Sequence, residues 1–579
     1  MSLMNTLARL EAVRAGRAQA LATVRHRHLS GRPLVFVPLT TAGEAGAPLG
    51  AMVGTDPDAP HVLVIPQPRD RDLRWEFLAE LAGQVVPYLE SYADAVEPVE
   101  RTETDPETGK RVKVEAELCL DAPQLIVPSR TGIEYVRLLG RSMRFRRTAE
   151  EDPENPYPAP ARVPLLGRWF THLAERSRVP GSSMLLSATD LLSRHWATGQ
   201  SNLEDQHLGA LLAWIDPPPG TTGAERALRA ELGRGADGQL LVPPAGPATD
   251  PAFDNKLLAP AIARFDAARA AAAAAPNGNG SGNGNGDGAR DRARAAAERA
   301  VRQLVVSQMQ STWNAVWQAV GLLRELPAGE RAEDRWTGDR WSYTGHRDRV
   351  RAGEAPQPRR DDAVTAARKL ATRETEQVRL EAQEALDDLL VMAGRRLAGE
   401  AFAGEVTEVV MEWTESKRPS PRPLVTVATE DRPQLADGAE DGSGGGSGGA
   451  KVYRSLDGRP QSAQFVRREV DGRLVLRLLD KMGRGKDPEP GSVPEKGDRV
   501  CWTLFEHDAR GGPKLPDAEQ TPWTHGGPPA HLTGSTPAYL TGSAPAHPAG
   551  SAPAHSAGSA PALPMPDSAP DPVTAEDLL

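Results

Sequence analysis

Hydrophobic positions along the chain change spacing from segment to segment, and the spacing predicts the elements. Leu7, Leu10, Val13, Leu21 and Val24 recur near helical intervals, with Arg9, Arg14, Arg17 and Arg25 between them. That pattern predicts an amphipathic helix at the start of the chain, and Glu11 argues against a transit peptide. Residues 33–39 (PLVFVPL) and 61–65 (HVLVI) are short apolar runs bounded by turn residues, as buried strands are. A helix is expected over residues 74–92, with Phe77, Leu78, Leu81, Val85 and Tyr88 on one side. Residues 118–127 are strand-like but broken at Asp121-Ala122-Pro123. A second helical part runs from about Leu165 to Trp214 and stops at Asp216-Pro-Pro-Pro-Gly220. Residues 1–275 thus predict a mixed α/β domain that turns helical.

Two long helices follow. Residues 289–326 are rich in Ala, Arg, Gln and Glu, with Trp313 and Trp317 on one face. Residues 361–397 carry Val364, Leu370, Val378, Leu386, Leu389 and Leu390 as their apolar side. Their apolar register is not a strict heptad, so a helical hairpin is expected over 289–402 rather than a coiled coil. The charged stretch between them, 331–362, balances its arginines with Asp334, Asp339, Asp348 and Asp361 and is expected to be a self-paired surface loop.

From Ala403 the period shortens to that of strands. Glu405–Trp413, Leu424–Thr429, Gln464–Val470, Arg473–Leu479 and Arg499–Phe505 are strand-like, and Asp471-Gly472 is hairpin chemistry. Residues 403–520 therefore predict a small β-barrel or sandwich, analogous in strand count to OB and SH3-like barrels. Segments 276–288 (Gly/Asn) and 437–450 (Gly/Ser) are linkers by composition. Residues 521–579 form a Pro/Ala/Gly/Ser tail in which Pro529, Pro537, Pro545, Pro553 and Pro561 keep an eight-residue register. That repeat has no apolar positions to stack and is expected to be disordered. The fold class is multi-domain α+β.

Composition adds exclusions. Ala, Arg, Gly and Pro dominate, as in GC-rich genomes, and the formal net charge of −10 argues against a chain that works mainly by gripping polyanions. Cys119 and Cys501 are the two cysteines, far apart, which excludes a disulfide framework or a cysteine zinc site and suggests a reducing, cytoplasmic setting. No apolar run reaches the roughly 18 residues of a membrane span, so no membrane partner is expected.

Candidate chemistry concentrates in residues 195–216. His195, Glu204, Asp205 and His207 are the candidates for an acid/base or metal-dependent hydrolase, because Glu204 and His207 share a helix face at i, i+3. The competing reading makes Glu204 and Asp205 first-turn acids of a capped helix. No His-Glu-x-x-His motif, second Glu-x-x-His or serine elbow accompanies them, so no metal or cofactor is expected. Asp250 and Asp254 read as paired carboxylates or as a capped helix start. Nucleic-acid contact, if any, falls to Arg130, Arg137, Arg141, Arg144, Arg146 and Arg147, with Tyr135 and Phe145 for stacking, and to Lys481, Arg484 and Lys486 in a loop that lacks a phosphate-loop pattern. The expected function is a non-catalytic, modular interaction protein within a larger cytosolic assembly, with protein partners and nucleic acid as a second partner class. The hydrolase centred on His195–His207 is the alternative.

Overall fold

The computed structural model describes residues 3–44, 46–104, 110–274, 285–356, 363–416, 419–435, 449–483, 485 and 487–509. The predicted tail 521–579, most of both predicted linkers, Arg484 and Lys486 lie outside the described residues.

A five-stranded mixed sheet organises the first part. After the two-residue β1 (Gln19–Ala20) come β2 (Leu34–Thr40), β3 (Pro48–Gly54) and β4 (His61–Val64). A hairpin of β5 (Val96–Thr104) and β6 (Arg111–Cys119) precedes β7 (Leu125–Val127), β8 (Leu185–Ser187) and the two-residue β9 (Trp196–Ala197), which pairs with β1. The sheet order is β4-β3-β2-β7-β8, antiparallel on the β3 side of β2 and parallel on the β7 side. Every residue of β2 and β3 is buried, which requires cover on both faces.

The two-residue period of β2 sorts its side chains. Leu34 and Phe36 join a core with Phe77, Leu81 and Val85 of helix Arg71–Glu90, Val136 and Leu139 of helix Arg130–Met143, and Trp169 and Phe170 of helix Val163–Arg176. Val35, Val37 and Leu39 face a second core with Val301, Val305, Met309, Trp313 and Val316 of helix Asn285–Glu325. That long helix also packs along helix Ala259–Ala273, so residues on both sides of 275–284 share one core.

A long-helix pairing is therefore present, but its arms are Ala259–Ala273 and Asn285–Glu325. The other predicted arm, Ala363–Asp387, packs chiefly on helix Leu389–Leu397. The physical reason is that Trp313, Val316 and Val320 are needed to cover the sheet and are wholly or almost wholly buried there.

The charged stretch 331–362 is corrected: Ala332–Arg351 is a helix, not a surface loop. Trp336, Asp339, Tyr343, Thr344 and Arg347 are buried and each is satisfied from the body. Trp336 Nε1 donates to Asp121 (2.8 Å), Tyr343 Oη to the Leu89 carbonyl (2.6 Å) and Arg347 to the Ala93 carbonyl (2.7 Å). Asp339, with no exposed surface, accepts from Arg176 (2.6 Å), Ser182 (2.8 Å) and the Ser183 N–H (2.6 Å). Charge balance in the sequence concealed interior polar pairing.

The β part is a closed barrel of β10 (Ala401–Val410), β11 (Leu424–Ala428), β12 (Lys451–Leu456), β13 (Arg459–Arg468), β14 (Leu474–Leu478) and β15 (Arg499–Thr503), ordered β10-β11-β14-β13-β12-β15. It closes with six strands around Phe402, Val425, Val427, Phe465, Leu476 and Trp502. Its tightest turn is Asp457-Gly458, with φ of +50° and +72°, the geometry that Asp-Gly adopts in a two-residue hairpin.

Candidate functional site

The predicted cluster around residue 200 does not converge. Glu204 is exposed and exchanges hydrogen bonds with Ser201: its carboxylate accepts from the Ser201 N–H (2.7 Å) and its own N–H donates to Ser201 Oγ (3.3 Å). Those bonds hold its carboxyl below the usual range. His207 is itself the N-cap of helix Leu208–Ile215: Nδ1 accepts from the Ala210 N–H at 3.2 Å, which requires an unprotonated nitrogen there. Burial pushes its imidazole pKa down, in keeping with that role.

Asp205 is buried and accepts from Thr198 Oγ1 at 2.6 Å, with Arg9 at 3.6 Å. Burial pushes its carboxyl up to about 6 despite those partners. Arg9 also donates to the Gln200 carbonyl, so this side of the cluster anchors helix Leu3–Ala15 to the body. Asp250 caps helix Pro251–Phe253 and pairs with Arg234 at 2.9 Å, while Asp254 accepts from Thr249 (2.6 Å) and the Ala42 N–H (2.8 Å). Helix capping thus accounts for His207 and Asp250, while Asp205 and Asp254 tie neighbouring segments together.

His195 goes elsewhere. At the end of helix Ala188–His195 its Nδ1 lies 3.1 Å from the Ala22 carbonyl, which can only accept. Nδ1 therefore carries the proton and Nε2 the lone pair. His195 lines a cavity of about 120 Å³ with Leu21, Ala22, Val24, His26, Arg27, Arg194, Glu384 and Val391. Four separate stretches of chain meet there, which is why spacing alone did not show it.

The second imidazole is the opposite tautomer. Arg335 donates to His26 Nδ1 at 3.2 Å, so the proton sits on Nε2, 3.7 Å from Asp387. Burial first, then Arg335, pushes His26 down to about 4. Glu384, 3.4 Å from Arg194, is pushed up by burial.

Asp388 fixes the cavity's edge. Its carboxylate accepts from the backbone N–H groups of Thr23 and Val24 (2.9 Å for Val24) and, as N-cap of helix Leu389–Leu397, from that of Leu390 at 2.9 Å. Burial opposes its charge, but these hydrogen bonds outweigh it and hold the carboxyl below its usual range.

The arginine-rich helix is a stabilised surface rather than an open stripe. Arg130 pairs with Asp190 (3.2 Å), Arg137 with Glu134 (2.7 Å) and Arg147 with Asp152 (3.7 Å), and Arg146 donates to the Ser142 carbonyl (3.2 Å). Arg144 is buried with its guanidinium 4.5 Å from the Phe145 ring, and Arg141 is half-buried and also engaged. The i, i+4, i+7 face therefore turns partly inward, and Tyr135 is buried too. Lys481 is exposed in a left-handed conformation, φ +60°.

Among the described residues no group of three His, Cys, Asp or Glu side chains is placed to hold a metal ion, and no helix is long and apolar enough to cross a membrane. No protein-family model matches the chain, and no curated protein or solved structure matches it either.

Proposed function

We propose that this is a non-catalytic interaction protein that docks an acidic, amphipathic helix of a partner protein on the surface formed by helices Leu3–Ala15 and Leu389–Leu397. One observation carries this. Helix Leu389–Leu397 (LLVMAGRRL) buries none of its residues fully, and Leu389 is 90% exposed. A nine-residue helix has little stability of its own, so one whose Leu389 and Leu397 stay exposed while the residues between are only half-buried is unusual unless something covers it.

The neighbouring helix continues the same surface. Met4 packs against Gly394, while Leu3, Leu7 and Leu10 fall at i, i+4 and i+7 and stay exposed with Val13. Arg14 and Arg17 are exposed at its end, which favours acid on the partner. The pattern suits a helix laid into an apolar groove.

The test is affinity capture of the full chain from its native lysate after nuclease, with wild type, the L7D/L389D pair and R14E/R17E side by side. The reading expects one partner that wild type retains, that L7D/L389D loses, and that R14E/R17E holds less well. A partner retained equally by all three, or recovery of no partner by wild type, overturns it.

A further inference from the structure

The cavity at His195 carries a charge that its walls leave unpaired. Arg27 and Arg194 both line it. Arg194 has Glu384, but Arg27 has no carboxylate within 4 Å among the described residues, and its guanidinium makes a single hydrogen bond, 3.3 Å to the Ser182 carbonyl. A guanidinium has five donors and does not shed its charge, and Arg27, half-buried with a single hydrogen bond, keeps donors that an anion can take up. Burial and then Arg194 push Arg27 down to about 10, the direction expected of a cation short of counter-charge.

The nearby acids are already committed. Asp388 is filled by three backbone N–H groups, Asp387 accepts from the Glu330 N–H at 3.0 Å, and Asp339 is filled by Arg176, Ser182 and Ser183. His26 also lines the cavity, but its protonated Nε2 lies 3.7 Å from Asp387, outside the cavity wall.

We infer that this cavity binds one small oxyanion, a phosphate or the carboxylate group of a small molecule, gripped between the guanidinium groups of Arg27 and Arg194. Planar guanidinium forks match both oxyanions. The volume of about 120 Å³ admits one such group and excludes a nucleotide. Glu384 is the one carboxylate in the wall, and its charge opposes the ligand. The site is independent of the docking surface, although Val391 of helix Leu389–Leu397 forms part of its wall.

Isothermal titration of the full chain at pH 7 and constant ionic strength, with inorganic phosphate, sulfate, acetate and chloride in turn, decides the matter. Wild type should bind phosphate or acetate saturably at one site, with chloride giving no saturable heat. Preference for phosphate identifies the phosphate source, and preference for acetate the carboxylate source. R27Q should weaken binding about ten-fold or more, R27K less than R27Q, and E384Q should bind at least as tightly as wild type. Absence of saturable binding by wild type into the millimolar range overturns the assignment, whether or not the variants fold. So does unchanged affinity in an R27Q protein that keeps the wild-type Tm, or loss of binding in a folded E384Q.

Discussion

His172 and His346, on helices Val163–Arg176 and Ala332–Arg351, stack with ring centroids 4.2 Å apart and planes 9° from parallel. Trp169 meets His346 edge-on at 4.6 Å, and Arg168, Arg176 and Arg349 surround the pair. Two facing imidazoles ringed by guanidinium groups tolerate no added proton.

Burial and then the nearby charges push His172 down to about 3 and His346 to about 2. Unfolded imidazoles take up protons near pH 6.5, so below that pH the unfolded chain binds more protons than the folded one. The stabilisation is complete above pH 6.5 and is lost as pH falls toward the folded values. His26 and His507, each at about 4, act in the same sense. Thermal melts should show Tm dropping by roughly 5 °C or more between pH 7 and pH 5. H346F should flatten that fall, and an unchanged slope would show that other groups titrate.

The helices Arg130–Met143 and Val163–Arg176 cross at two glycines. A Cβ on Gly140 would sit 2.6 Å from the Thr171 nitrogen, and one on Gly167 would sit 2.5 Å from the Arg144 nitrogen. Both obstacles are backbone and cannot swing aside. Gly140→Ala and Gly167→Ala should each destabilise by about 2 kcal/mol or more, seen in urea melts, whereas open Gly321→Ala on the long helix should be neutral or slightly stabilising.

Removing the Asp388 carboxylate strips a helix cap and leaves the Thr23 and Val24 N–H groups without their acceptor. Asp388→Ala should therefore cost about 3 kcal/mol, and Asp388→Asn, which still offers one acceptor, clearly less. Hydrogen exchange at residues 23 and 24 should quicken in D388A ahead of exchange in β2. Equal exchange in the two proteins would mean the bond does not hold that segment.

Leu389→Asp should leave stability within about 0.5 kcal/mol of wild type because nothing packs over the side chain, and should raise solubility. Leu323→Asp, at a position 1% exposed, should prevent folding of the first part. A large loss of Tm in L389D would show that Leu389 is packed in solution.

Much of this architecture was legible from spacing. The runs at 33–39 and 61–65 are strands, Phe77, Leu78, Leu81 and Val85 line a buried helix face, and the β-rich stretch closes as a barrel. What escaped has physical causes. Strand β3 (PLGAMVG) carries a glycine where a neighbour crowds: a Cβ on Gly50 would lie 2.7 Å from Val305. Turn chemistry was read at Asp471-Gly472, while the same dipeptide at Asp457-Gly458 makes the tighter turn. The cavity was legible only at His195, because Arg27, His26 and Glu384 reach it from distant parts of the chain.

Asp388 and Thr23 are separated by 365 positions, which puts a clock on folding during synthesis. At about 5–20 residues per second, the Thr23 segment waits roughly 20–70 s for the carboxylate that pins it. Until then the edge of the cavity stays open and helix Leu3–Ala15 lacks the neighbour that Met4 rests on. The sheet and the helices that cover it are therefore synthesised before the segment that pins Thr23 and supports Met4, and the barrel strands follow later still.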